Sequence, residues 1–308
     1  MIDIRNLRKE YKETVALDNL TLQIPQGEVF GLIGPNGAGK TTLIRILATL
    51  LEPTYGSVFI DGIDVLAEPL RVHPVIGYMS DFFALYENML VWEYLDHFAR
   101  CYGIPVTKRN KLIDEVLQLV SLEVKRDGMI RGLSRGMKQR LCFAKTLLHE
   151  PKVLLLDEPA SGLDPAGRLE FRELVKQLYA MGRTILISSH ILTEMAEFCT
   201  SIAIMEEGRV LASGRVSDIL ARLQPAMKLE IEPFGSPEVL AKWLGSRQWV
   251  EQVQADDRIV QCRWTGAREE LPLLHRQLVQ EGIDLISFAV KTDNLEDIYM
   301  RISGHRTS

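Results

Sequence analysis

Apolar and polar residues alternate over 2–7 and again over 20–24, the turn Pro25-Gln26-Gly27 follows, and 29–33 is an unbroken apolar run. Alternation marks a half-buried strand and an unbroken run marks a strand covered on both faces. The opening therefore predicts an antiparallel β entry feeding one buried strand. A Gly-rich loop comes next, then helical spacing from Lys40 to about Leu50, closed by Pro53-Thr54-Tyr55-Gly56. Short strands are expected at 57–60 and 75–79, and residues 91–120 carry mainly helical spacing, so an inserted helical subdomain is expected over about 88–145.

Ser134 stands where an N-cap belongs, and Met137, Leu141, Ala144 and Leu148 then step by helical intervals until Pro151. The run 153–156 is a second buried strand and ends in Asp157-Glu158. Asp164-Pro165 is a cap and first-turn pair for a helix ending near Gly182, and 184–187 is a third buried strand. Strand and helix alternate, so the sheet is largely parallel. The pattern changes near Met227 to the order β-α-β-β-α-β, which resembles a ferredoxin-like module. The expected division is 1–223 and 227–308, with the boundary at Gln224-Pro225-Ala226. The fold class is α/β: a P-loop NTPase core with a largely parallel sheet, an antiparallel β subdomain and a helical insert, plus a small α+β C-terminal domain.

Composition narrows the partners. The 308 residues carry a net charge of −5, too small for a general nucleic-acid binder or a polybasic anchor. Cys101, Cys142, Cys199 and Cys262 have neither disulfide-framework nor zinc spacing, which fits reduced thiols. No apolar run reaches the roughly 20 residues of a membrane helix, and no signal-peptide pattern opens the chain, so any membrane role is expected to be peripheral.

The chemistry begins at Gly34-Pro35-Asn36-Gly37-Ala38-Gly39-Lys40-Thr41, followed by Thr42, between a predicted strand and a predicted helix. Glycines let backbone N–H groups turn inward around phosphate, the helix N-terminus favours the anion, Lys40 reaches the terminal phosphates and Thr41 offers its hydroxyl to Mg²⁺. Asp157 and Glu158 close a buried strand, so strand alternation points them to opposite sides. Asp157 is expected to hold Mg²⁺, and Glu158 to act as base for the attacking water. ATP and Mg²⁺ are the expected ligands.

With these residues in place, roughly the first 220 positions resemble the nucleotide-binding subunit of the ATP-binding cassette (ABC) transporter family. Leu133-Ser134-Arg135-Gly136-Met137-Lys138-Gln139-Arg140 is similar to its signature motif. The resemblance implies that Ser134, Arg135 and Gly136 meet the γ-phosphate held by a second copy, or by a homologous ATP-binding subunit, in a head-to-tail dimer with two shared ATP sites. It also implies that Tyr11 stacks on adenine, that Ser161-Gly162-Leu163-Asp164 is the dimer-communication loop, and that His190 is the switch histidine supporting the attacking water. Read alone, Tyr11 also has the lesser alternative of a core tyrosine in the β entry, and Asp164 is also needed as a helix cap.

Two positions depart from the pattern. Asp81 stands where the family carries a Gln linking Mg²⁺ and water to the membrane partner; Asp can still bind metal or water. Arg135 replaces a Gly, and either adds positive charge near the opposite phosphate or points to solvent. The implied partner is an integral-membrane permease on a separate chain, contacted through the helical insert and Phe82-Phe83-Ala84-Leu85-Tyr86-Glu87, at the cytoplasmic face of the cell membrane. Met137 and the C-terminal module resemble exporters more than importers. The competing reading is a soluble ABC-type ATPase acting on ribosomes or nucleic acid. It would carry two cassettes or a long heptad insertion, and the sequence has neither.

Overall fold

The period-two segments at the start pair with each other before any helix forms. A computed structural model describes residues 1–82, 84–222 and 227–292. In it β1 (Ile2–Glu10) runs antiparallel to β2 (Val15–Ile24), with Ile2 opposite Ile24 and Ile4 opposite Leu22. These side chains are buried, and β4 (Tyr55–Ile60) and the short β5 (Ile63–Asp64) complete a sheet in the order β2-β1-β4-β5.

The main sheet is built on β3 (Val29–Ile33), every residue of which is buried. It runs parallel to β8 (Thr184–Ser189) on one side and to β9 (Ser201–Glu206) on the other. β7 (Val153–Leu156) and β6 (Ile76–Met79) extend it in parallel, and β10 (Arg209–Arg215) closes the opposite edge antiparallel, giving β10-β9-β3-β8-β7-β6. Leu32, Leu43, Leu47, Leu155 and Leu186 share one core with the inner faces of β1, β2 and β4. All-apolar runs suit strands covered on both faces, which is why these segments do not alternate.

The helices follow from capping and spacing. After α1 (Lys40–Leu47) and the single turn α2 (Pro69–Val72) come α3 (Val91–Cys101) and α4 (Val106–Leu119), the expected helical insert. The next helix, α5 (Arg135–Leu147), is capped by Ser134, whose Oγ accepts the Met137 N–H at 3.3 Å. Likewise α6 (Pro165–Ala180) is capped by Asp164, whose Oδ1 accepts the Gly167 N–H at 2.9 Å. Such caps contribute about 1 kcal/mol each. The short helices α7 (Leu192–Ala196) and α8 (Val216–Arg222) flank the β9–β10 hairpin.

The chain divides into two compact units, 1–219 and 220–308. The expected boundary residues Gln224-Pro225-Ala226 lie outside the described residues. In the second unit β11 (Met227–Pro233), α9 (Pro237–Gly245), β12 (Val250–Ala255), β13 (Val260–Trp264), α10 (Leu271–Gln280) and β14 (Leu285–Thr292) follow in the order β-α-β-β-α-β. The sheet is antiparallel, β12-β13-β11-β14, over a core that includes Leu229, Ile231, Leu240, Leu244, Leu274 and Leu278.

Two sequence expectations need correction. Helix α1 stops at Leu47 rather than near Leu50, because Thr49 takes a left-handed φ of 61°. Strand β7 stops at Leu156, so Asp157 and Glu158 lie beyond the pleat that was to separate them. Glu158 has φ 47°, a conformation that costs a non-glycine residue on the order of 1–2 kcal/mol.

Candidate active site

Residues 34–41 leave β3 at its C-terminal end, where ligands bind in open α/β sheets. The loop is seated by backbone contacts. Gly34 donates its N–H to the Ser189 carbonyl at 3.3 Å, Ala38 donates to Pro35 O at 3.2 Å, and Gly208 donates to Ala38 O at 3.1 Å. Gly34 and Gly39 are demanded by close approach. A Cβ on Gly34 would stand 2.3 Å from the Met205 carbonyl oxygen, and one on Gly39, at φ 100°, would stand 2.4 Å from that of Ala16. Pro35, Asn36 and Gly37 form the exposed apex, while Gly34, Ala38, Gly39 and Lys40 are buried.

Lys40 is only 6% exposed, and its Nζ donates to Gly34 O at 2.6 Å and Pro35 O at 3.1 Å. It also lies 3.5 Å from Glu158 Oε1. The ammonium is therefore held inside the loop, where a phosphate would meet it. Thr41 and Thr42 follow in the first turn of α1, half-buried.

The two acids turn to different partners. Asp157, 1% exposed, accepts from Ser188 Oγ at 2.6 Å and from Thr41 Oγ1 at 3.2 Å. Glu158 reaches Lys40 with one oxygen and His190 with the other: His190 Nδ1 stands 3.0 Å from Oε2, so this nitrogen carries the shared proton. The division of labour expected from strand alternation thus arises from the left-handed turn at Glu158 instead. Ser188 was not singled out from the sequence. Its hydroxyl also accepts the Glu158 N–H at 2.8 Å, so one buried side chain fixes both acids. The signal for it was a pair of serines closing an otherwise apolar strand, 184–189.

Asp81 follows β6, and its carboxyl is pushed above the usual range by burial and by the Asp157 and Glu158 charges, with Arg135 opposing. It therefore belongs electrostatically to the same site. Arg135 is an exposed residue at the head of α5. Its guanidinium lies over the backbone of Gly162: a Cβ there would meet Nη2 at 2.3 Å and Cζ at 2.4 Å. The head of α5 is thereby laid on the Ser161–Asp164 loop, and Gly136 packs against the Leu163 side chain within the same contact.

Tyr11 is 48% exposed and is not the core residue its strand context allowed. It opens the turn to β2, donating its N–H to Thr14 O at 2.8 Å, and Ala16 beyond that turn touches the glycine loop at Gly39. In the aromatic segment, Phe82 is 86% exposed, whereas Tyr86 packs edge-on against Tyr94 and His97 of α3. Phe83 lies outside the described residues. No helix among the described residues is long and apolar enough to cross a membrane.

The donors suit Mg²⁺. Among the described residues no cluster of three or more His, Cys, Asp or Glu could hold a metal, and the hard oxygens of Thr41 and Asp157 lie together. Mg²⁺ takes one or two protein oxygens and completes its shell with water and phosphate.

A phosphate loop at the C-terminal end of β3, whose Lys40 meets Glu158 beyond β7, itself bonded to His190 beyond β8, defines a P-loop nucleotide hydrolase. The family described as ABC transporter matches residues 17–161. The ABC transporter ATP-binding protein YdbJ of Bacillus subtilis (strain 168) is 33% identical, over 98% of this chain and 94% of its own. The Nod factor export ATP-binding protein I of Ralstonia nicotianae is 31% identical over 99% and 94%. A dimeric ATP-binding cassette in a post-hydrolysis state, bound to ADP and Pi, superposes with a TM-score of 0.63 at 27% identity, over 70% of this chain and 99% of its own. The chain belongs to the ATP-binding proteins of ABC transporters. It is an ATPase whose hydrolysis drives transport through a separate permease.

Proposed function

We propose that two copies of this chain, or this chain and a homologous subunit, close head to tail on two ATP molecules and drive export through their permease. The reading rests on one observation above all: Lys40, Glu158 and His190 converge at the mouth of the glycine loop, with Asp157, Thr41 and Ser188 behind them. Glu158 orients the attacking water and takes its proton; His190, bonded to the same carboxylate, holds that carboxylate in register. Lys40 exchanges its loop carbonyls for the terminal phosphates. Thr41 and Asp157 would hold Mg²⁺, which supplies charge neutralisation at the phosphates when bound. Asp81, beside both acids, serves the same metal or its water. Tyr11 stacks on the adenine.

Ser134, Arg135 and Gly136 at the head of α5 present N–H groups and a positive helix end to the phosphate of the opposite copy. A dimeric cassette holding ADP and Pi is among the structures this chain resembles, and one relative is a Nod factor export protein. Both favour a shared site and outward transport. Residues 1–223 are read as the nucleotide-binding domain and 227–308 as a ferredoxin-like accessory domain. The subunit lies peripherally on the cytoplasmic face of the cell membrane, and the helical insert with exposed Phe82 meets the permease.

Sizing of the purified Glu158→Gln variant with Mg-ATP tests the shared site. An ATP-stabilised dimer that Ser134→Arg abolishes is the expected result. A variant that binds ATP yet stays monomeric at high concentration, with its permease present, overturns it.

A further inference from the structure

The last turn of the glycine loop is wedged between backbones from two distant parts of the chain. Gly39 faces the Ala16 carbonyl of β2, and a Cβ on it would also stand 3.5 Å from the Gly208 Cα. Gly208 belongs to the turn of the β9–β10 hairpin, where it has φ 76° after Glu207 at φ 46°. A Cβ on Gly208 would stand 2.7 Å from that same Ala16 oxygen. Gly208 donates its N–H to Ala38 O and accepts the Asp18 N–H at 3.0 Å. The hairpin turn therefore bridges β2 and the phosphate loop.

A side chain fixes where that turn stands. Asp18 is half-buried on β2, and its Oδ2 accepts from both Nε, at 2.7 Å, and Nη2 of Arg209, the residue directly after Gly208. Its Oδ1 accepts from Nη1 of Arg8 on β1. Arg8 is itself tied down, with Nε 2.5 Å from Glu10 Oε1 and Cζ 5.9 Å from the Tyr55 ring centroid. The Arg209 hydrogen bond first, then the two guanidinium charges, hold the Asp18 carboxyl below the ordinary carboxylate range, with burial opposing. One carboxylate thus joins β1 and β2 of the antiparallel sheet to β10 at the edge of the main sheet. The Arg209 side chain is 68% exposed, and an ion pair so open to water contributes little to global stability. What it determines is a position.

We propose that Asp18 is a positioning residue for ATP binding: through Arg209 it sets the Glu207-Gly208 turn, and through that turn it holds Ala38 and Gly39 in the conformation that receives the triphosphate. Asp18 touches no substrate, so its effect is preorganisation. Without it the loop must be ordered at the expense of binding energy, whereas a seated triphosphate holds the loop by its own contacts. The loss falls on affinity and KM rather than on kcat. The role rests on the phosphate loop alone and does not depend on the shared-site dimer.

Asp18→Asn leaves one neutral acceptor for two guanidiniums, and Arg209→Gln removes the fork. Equilibrium binding of Mg-ATP and of inorganic tripolyphosphate to the full chain is measured for each, beside steady-state turnover. Either variant is expected to weaken both ligands by about five- to tenfold. KM for ATP should rise by the same factor, kcat should stay within about twofold, and the melting temperature should fall by only a few degrees. Arg209→Lys should restore part of the affinity, since it returns the charge without the fork. The double variant should be no weaker than the weaker single one. Unchanged affinity, losses that add in the double variant, or a kcat that falls as far as kcat/KM overturns the proposal. So does a loss confined to ATP, which would place the effect at the base instead of the loop. Arg209 is exposed, so Arg209→Gln and Arg209→Lys keep the test decisive if Asp18→Asn fails to fold: the amide resonances of Ala38 and Gly39 should shift in Arg209→Gln, and their staying at wild-type positions overturns it.

Discussion

Ser188 donates its hydroxyl to Asp157 Oδ1 at 2.6 Å while accepting the Glu158 N–H at 2.8 Å. Ser188 is fully buried, so neither bond can be replaced by bulk water. Ser188→Ala leaves Asp157 with Thr41 as its remaining hydroxyl donor and strands the Glu158 amide. Stability should fall by about 1–3 kcal/mol and the ATPase rate by about tenfold. Denaturant melts and steady-state turnover of the same preparation measure both. A variant with wild-type turnover would remove Ser188 from the site.

In the proposed mechanism Glu158 is the group that takes the attacking water's proton. Glu158→Gln keeps the shape and the reach to Lys40 but loses the basicity, so kcat should drop by about 10²–10⁴. ATP affinity should change little, because the P-loop contacts are untouched. Single-turnover hydrolysis beside equilibrium nucleotide binding separates the two effects.

Arg135 and Gly162 should be energetically coupled. Gly162 has φ 71°, and the volume a Cβ would occupy is taken by the Arg135 guanidinium. Gly162→Ala should destabilise the wild type through both backbone strain and collision. In an Arg135→Ala background only the strain remains. A double-mutant cycle should return an interaction of at least about 0.5 kcal/mol, and additive values would mean that the guanidinium moves aside freely.

His149 sets a pH limit. Burial holds its imidazole below the ordinary histidine range, partly opposed by the Nε2 bond to the Ile76 carbonyl at 2.7 Å, and its ring stacks on Tyr102 at 4.0 Å. In the unfolded chain the ring protonates near its usual pKa of about 6.5, whereas the folded chain resists until lower pH. Between those two values the unfolded state binds more protons, so stability is full above pH of about 6.5 and is lost as pH falls toward the folded value. His149→Phe keeps a ring against Tyr102 and removes the titration. The difference in melting temperature between pH 7.5 and 5.5 should be smaller in the variant than in the wild type.

The glycine loop, the two acids and both helix caps were legible in the sequence because each is a local string with a local physical reason: phosphate spacing, a strand's end, a side chain bonding its own helix. The hairpin β9–β10 was not read, although its run Ile202-Ala203-Ile204-Met205 and the turn at Glu207-Gly208 carried the signal. Three other facts depend on contacts between distant residues, which spacing cannot reveal. These are Ser188 beneath Asp157, Arg135 over Gly162, and the left-handed Glu158 that replaces strand alternation.

The seat of the glycine loop has a consequence for synthesis. Gly34 rests on the carbonyl of Met205, and Ala38 is tied by the amide of Gly208. On the ribosome, residues 34–41 emerge long before those supports exist, and contacts so far apart in sequence form late. A nascent chain therefore cannot grip nucleotide until the β9–β10 hairpin has left the exit tunnel and docked beside β3. ATP capture is then a signal that the first unit is finished, and a chain truncated ahead of Met205 would carry the full phosphate-binding string without the ability to use it.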